Sequence, residues 1–285
     1  MRDRAAVVMV LLAAVMWGTT GTARALAPAD AAPVSVGAVR IAIGGALLVV
    51  IALARGTLLV RWPPVPAVLA AGAVAAYQLS FFEGVARAGV APGTIVAIGS
   101  APIFAGVFAL VALGERPDAR WAVATALAVI GVALLAFTGV AAFAPLALLL
   151  PLCAGASYAI YATATKALLP GHDSIAVAAL AFGGGAVLLS PLLLITDLGW
   201  LAQPNGIAAA LELGIVATAV AYVLFTTALA RIPVRWGATL SLGEPLTASF
   251  LGVVVLGERL APAQLVGAAL VGLGLAVLAT TRRRS

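Results

Sequence analysis

The sequence is built from apolar runs of about 20 residues, separated by short connections rich in Pro, Gly and charge. A helix rising ~1.5 Å per residue crosses a ~30 Å hydrocarbon core in a run of that length. In lipid only helices and closed barrels satisfy their own backbone groups, so each run reads as a membrane-crossing helix. Ten such spans are expected, roughly Ala5–Leu26, Val34–Ala54, Ala67–Ala86, Gly93–Leu113, Trp121–Gly139, Leu146–Leu168, Ile175–Thr196, Gly206–Ala230, Arg235–Leu256 and Pro262–Thr280. The fold class is therefore all-α and polytopic. Only 9% of the residues are charged and mean hydropathy is +1.19, which excludes a soluble globule.

The net charge of +6 would point to nucleic acid in a soluble protein. Here the basic residues sit in short loops, where they set orientation, and no nucleic-acid partner is expected. With the N-terminus inside, the cytoplasmic side holds Arg2, Arg4, Arg55, Arg61, Arg116, Arg120, Lys166, Arg231, Arg235, Arg282, Arg283 and Arg284. The outer side holds Arg24, Arg87 and Arg259, so both termini are expected to be cytoplasmic. Trp62, Trp121 and Trp236 fall at inner boundaries and Trp200 at an outer one, positions that suit interfacial anchors. The N-terminal run imitates a cleavable signal peptide, but it is longer than such peptides need and is expected to be retained as the first span. One cysteine, Cys153, precludes an intrachain disulfide; with His172 the only histidine, no metal or cofactor is expected.

In the ninth span Glu244 and Pro245 stand side by side about nine residues from Arg235, ~13 Å in and close to the midplane. A lone acid there is costly unless it faces protein or water, and it commonly marks a substrate or proton path. Pro245 has no N–H, so the Ser241 carbonyl loses its helical partner, a defect that an enclosed cavity tolerates and lipid does not.

The two halves of the chain repeat. Ala101-Pro102-Ile103-Phe104-Ala105 followed by Leu113-Gly114-Glu115-Arg116 answers Glu244-Pro245-Leu246-Thr247-Ala248 followed by Leu256-Gly257-Glu258-Arg259, always 143 residues apart. Five spans per half is odd, so residues 1–140 and 141–285 are expected as two inverted repeats around a central cavity, with Pro102 and Pro245 as matched helix breaks or gates.

The chain resembles the drug/metabolite transporter superfamily, of the EamA type. Ten spans in two halves carry the resemblance, as do Trp17-Gly18, Arg40 and a mid-span proline followed by Leu-Gly-Glu-Arg in both the fourth and ninth spans. It implies a basket of helices and export of amino acids or other small metabolites across a bacterial inner membrane. The first half has Ala101 where the second has Glu244, so the acid is not required by the repeat scaffold.

Placing the spans on the bilayer gathers Trp17, Tyr77, Tyr158, Tyr161, Tyr222 and Glu244 near the midplane. A buried phenol seeks a hydrogen-bond partner, which these rings find either across a cavity or on a neighbouring helix. Arg40 lies about seven residues into the second span. Its guanidinium can hold a substrate carboxylate while Glu244 takes an ammonium, the two ends of an α-amino acid. It can equally neutralise Glu83, Glu212 or Glu244 as a structural pair. Glu83 and Arg87 have the i,i+4 spacing of a local pair. Glu115-Arg116 and Glu258-Arg259 are expected to cap or bridge helices. Ala268, Gly272 and Ala276 in the tenth span, and Ala124 with Ala128 in the fifth, permit close contact between those spans or a homodimer surface.

The function expected is secondary transport by alternating access, coupled to protons through Glu244 if that carboxyl titrates. An uncoupled facilitator and a drug or cation efflux protein are the alternatives. An intramembrane enzyme on a lipid-linked substrate would need a paired acid and base or a nucleophile with its base, and no such set occurs.

Overall fold

Apolar runs become helices, and they end where proline, glycine or a capping side chain intervenes. The computed structural model describes residues 2–136 and 145–280. Its ten helices are α1 (Arg2–Leu26), α2 (Pro33–Ala54), α3 (Pro64–Ala88), α4 (Val90–Leu113), α5 (Ala119–Leu135), α6 (Leu149–Leu168), α7 (Ser174–Ile195), α8 (Pro204–Leu229), α9 (Val234–Leu256) and α10 (Pro262–Ala279). Among the described residues nine are long and apolar enough to cross a membrane, and α5 is the shorter tenth. The end of its expected span, to Gly139, lies outside the described residues. Helices α3 and α4 begin earlier than the expected Ala67 and Gly93. Pro64 and Pro92 sit in first turns, where a missing N–H costs nothing and the fixed φ suits a helix.

Corresponding helices of the two halves end alike. Helix α4 stops on Gly114 (φ 67°) and α9 on Gly257 (φ 71°), left-handed positions that favour glycine. The next N–H turns back in both: Glu115 to the Ala109 carbonyl at 3.1 Å, Glu258 to the Gly252 carbonyl at 3.0 Å. Arg120, at the start of α5, donates to the Val277, Leu278 and Thr280 carbonyls at the end of α10. Gln264, at the start of α10, donates to the Leu135 carbonyl at the end of α5, at 2.9 Å. The two helices thus run antiparallel and cap each other.

Their contact is backbone on backbone. A methyl group on Gly131 would stand 2.6 Å from the Gly267 carbonyl oxygen, and one on Gly274 2.6 Å from that of Ala124. The expected pairing of these spans therefore holds, but the face of α10 is different. Gly267, Val271 and Gly274 meet Ala124, Ala128 and Gly131, whereas a methyl on Gly272 would meet open space. Both stripes have helical spacing, and only the packing selects one. Gly274→Val is expected to destabilise the protein by about 1–3 kcal/mol through overpacking. Gly272→Ala should instead be neutral, or stabilising by up to about 1 kcal/mol from helix propensity. Thermal unfolding of the two variants in detergent checks the contrast.

On the face bearing the α2–α3, α4–α5, α6–α7 and α8–α9 loops, the basic face, the halves are tied by charge. Arg235 reaches Glu115 at 3.6 Å and Asp118 at 3.2 Å, with only 10% of its side chain exposed. Glu115 also accepts the Val234 N–H at 2.9 Å. Arg55 meets Asp173 at 3.5 Å, and Asp173 caps α7 through the Ile175 and Ala176 N–H groups. The four tryptophans expected as interfacial anchors also meet protein groups. Trp121 donates to the Arg235 carbonyl, Trp200 is 1% exposed and donates to Ser35, Trp62 stacks on His172, and Arg120 lies over Trp236. An indole at a helix boundary suits either environment, and for Trp121 and Trp200 a neighbouring helix supplies the acceptor.

Candidate functional site

Two helices depart from regular α geometry, and both departures fall at the centre of the bundle. Helix α8 winds as a π-helix over Glu212–Val220, where Thr218 donates to the Leu213 carbonyl at 2.8 Å. Such segments recur at functional sites. Helix α9 is interrupted by a 3₁₀ turn, Ser241–Gly243, after which Glu244 opens a new α segment with Pro245 in its first turn. Glu244 thus sits at a helix N-terminus, whose dipole favours a negative charge. The matched break expected at Pro102 is absent, because α4 continues unbroken through it. Helix α6 is pressed against that turn of α4: a methyl on Gly155 would stand 2.7 Å from the Ala97 carbonyl oxygen. Packing holds α4 in line where the proline alone would let it break.

These elements enclose two small adjoining cavities. One is lined by Arg40 and Gln78 with Tyr77, Tyr158, Tyr161, Tyr222 and Phe182. The other is lined by Trp17, Tyr77, Tyr158, Tyr222, Ser241 and Glu244, with Ala97, Ile98 and Ala101 from α4. Tyr77, Tyr158 and Tyr222 form the wall between them. The space open to the centre of a water-sized sphere is about 20 Å³ in the first and about 40 Å³ in the second. Such volumes take ordered waters rather than a metabolite, so the helices must part to admit one. Neither α5 nor α10 contributes to either cavity.

Every midplane residue expected from the sequence therefore faces these cavities, as does Arg40. The rings pack on one another: Trp17 on Tyr222 at 4.9 Å, Tyr161 edge-on to Tyr222 at 5.6 Å, and Phe182 on Tyr222 at 4.1 Å. Tyr158 donates to Ser241 at 3.2 Å, and Ser241 in turn donates to the Ala238 carbonyl at 2.8 Å. Tyr161 pairs with Thr226 at 3.4 Å. Among the described residues Arg40 has no carboxylate within salt-bridge distance, and its Nε is buried without a hydrogen-bond partner. Glu83 pairs with Arg87 at 2.7 Å, as its spacing requires, and is no partner of Arg40. Glu212 accepts from, or donates to, Thr19 on α1. Gln78, 4% exposed, was not anticipated as a cavity residue; its signal was an amide beside Tyr77 in an otherwise apolar span.

The motif Trp17-Gly18 acquires a physical meaning. Trp17 faces the Glu244 cavity, while a methyl on Gly18 would stand 2.8 Å from the Glu244 carbonyl oxygen and still closer to the Thr247 side chain. Glycine here lets α1 lie directly against the break in α9.

A bundle of membrane helices around a buried cavity lined by aromatic rings, one cation and one carboxyl is the build of a membrane transporter. The chain belongs to the EamA-like transporter family, which matches it twice, over residues 4–137 and 145–280. It is 43% identical over 277 residues to an uncharacterized transporter, YwfM, of Bacillus subtilis (strain 168), covering 96% of this chain and 94% of that one. It is 33% identical over 245 residues to a probable terminal-alkyne amino-acid exporter of Streptantibioticus cattleyicolor, covering 83% and 80%. A solved crystal structure with 23% identity superposes with a TM-score of 0.84 over 95% of both chains, a likeness of fold. The protein is thus a multi-pass membrane transporter and not an enzyme.

Proposed function

We propose that this protein exports amino acids or similar small metabolites across a bacterial inner membrane, with both termini cytoplasmic. The observation that carries the reading is Arg40 and Glu244 in adjoining cavities, neither in a salt bridge among the described residues, with tyrosines between them. A guanidinium held free of carboxylates recognises a carboxylate, and a midplane carboxyl recognises an ammonium. The named activity of the Streptantibioticus relative is in keeping with that chemistry. Residues 1–140 and 141–285 rock against each other about the site, with the interrupted α9 as the bending element. Glu244 is the coupling group: its carboxyl alternates between a proton and the substrate ammonium, so that inward proton flow drives release outward. Tyr77 and Tyr222, shared by both cavities, position the substrate between the charges.

Proteoliposomes loaded with labelled amino acids test this, with and without a pH gradient, beside Glu244→Gln and empty vesicles. Protein-dependent release that follows the gradient is expected, with that response lost in Glu244→Gln. Release unaffected by the gradient in both proteins would indicate an uncoupled facilitator. No release above empty vesicles from folded protein removes amino acids as the substrate class.

A further inference from the structure

Glu212 opens the π-segment of α8 and touches Thr19 on α1 through Oε1. Thr19 also lies 2.6 Å from the Met16 carbonyl oxygen on its own helix, which can only accept. A threonine hydroxyl has one proton. If it goes to Glu212, two oxygen atoms face each other at Met16 without a hydrogen. If it goes to Met16, the usual local bond of a helical threonine, the contact with Glu212 needs a proton on the carboxyl. Only the second arrangement satisfies both contacts. The other carboxyl oxygen of Glu212, Oε2, is buried with no hydrogen-bond partner. An unpartnered oxygen is far less costly on a neutral acid than on a carboxylate.

From this geometry we infer that Glu212 is a second proton-binding site of the transporter, held as the acid by Thr19 and released from it as the carboxylate. The charged group facing it is Arg40 on α2, the helix against which the π-segment packs. From α1 it meets Thr19, while Arg24, five residues further along, is held on the Ala31 carbonyl at 3.2 Å. The second carboxyl within the field of Arg40 is Glu244. Arg40 Nε has no partner while Glu212 is bound to Thr19. Once ionised, Glu212 turns to Arg40, the cation in whose field it lies, and it then competes with a substrate carboxylate for that group. Protonation of Glu212 therefore keeps the substrate's cation free. The substrate part of this inference rests on the proposed role of Arg40, but the proton site does not.

Infrared difference spectroscopy of the purified full-length protein at neutral pH tests the two parts separately, with no substrate added. Wild type is expected to show the C=O stretch of a protonated carboxyl that is lost in Glu212→Gln, retained in Glu244→Gln and shifted in Thr19→Val, which removes its hydrogen-bond partner. A spectrum unchanged by Glu212→Gln overturns the proton site, and a band unmoved by Thr19→Val overturns its attachment to Thr19. In proteoliposomes carrying Glu244→Gln, where that carboxyl no longer titrates, apparent affinity for a carboxylate-bearing substrate should weaken as pH rises, and it should stay flat when Glu212→Gln is added. A pH response that persists in the double variant overturns the competition for Arg40. Absence of amino-acid transport alongside the infrared loss would leave the proton site standing and count against the proposed substrate class alone.

Discussion

Replacing Arg235 with Met is expected to cost up to about 3 kcal/mol of stability, because it removes the salt-bridge partner of the partly buried Glu115 carboxylate and leaves only the more distant Lys166 to offset its charge. The pair is only 10% and 15% exposed, so solvent screens it weakly, whereas Asp118 at 44% adds little. Glu115→Gln in the Arg235→Met background should recover much of the loss, since the Val234 N–H keeps an acceptor while the unpaired charge is gone. Unfolding of the single and double variants in detergent measures the coupling; additive losses would show that the ion pair does not act as a unit. The same tie joins the two halves on the basic face only: the position 143 residues before Arg235 is Pro92, which has no charge to offer Glu258. Loss of Arg235 should therefore also speed labelling of a cysteine placed at Thr239, one turn deeper. The pH dependence has a defined sign. Burial holds the Glu115 carboxyl above the usual range, against the Val234 bond and the nearby Lys166 and Arg235. At Asp118 burial acts the same way, but the Trp121 N–H and Arg235 outweigh it and hold the carboxyl below the usual range. On acidification Glu115 protonates first. The stability due to Asp118, present above its unfolded pKa, is lost only as pH falls through its lower folded value.

Substituting Gly18 by Val is expected to abolish transport in protein that still inserts. Even one methyl would meet the Thr247 side chain and stand 2.8 Å from the Glu244 carbonyl oxygen, both on α9 at its break. Backbone is the far side of that contact, so the clash cannot be relieved by a rotamer change. Helices α1 and α9 must separate, at a cost of about 1–3 kcal/mol or more. The separation pulls Trp17 away from Glu244, which lines the same small cavity, and displacements of about 1 Å at such sites commonly cost two orders of magnitude in rate. Gly18→Ala should show an intermediate defect, partly rescued by Thr247→Gly, which removes the side-chain half of the clash and leaves the carbonyl. Full transport by Gly18→Val would mean that the α1–α9 contact plays no part in the cycle.

The apolar runs determined the helices, and nothing else in the chain could have. Spacing of the Pro…Leu-Gly-Glu-Arg blocks determined the repeat, since equal left-handed caps at Gly114 and Gly257 require equal sequences. Depth in the bilayer is fixed by counting along each helix, so the layer of Trp17, the tyrosines and Glu244 was legible as well. Azimuth is not fixed by counting when a helix is apolar all round, because every face then looks alike. Tertiary packing alone chose the Gly267–Gly274 stripe of α10 over the Ala268–Ala276 one, and put Trp121 and Trp200 on protein acceptors. The same holds for the two prolines. Both lie eleven residues before the same Leu-Gly-Glu-Arg turn, yet α4 is held straight against Gly155 while α9 breaks beside Gly18. Contacts between distant segments also held Arg40 beyond salt-bridge distance of every carboxylate among the described residues and placed Glu212 on Thr19, 193 residues away in sequence. A sequence records which charges are present; which of them are paired depends on distances that only the packed bundle sets.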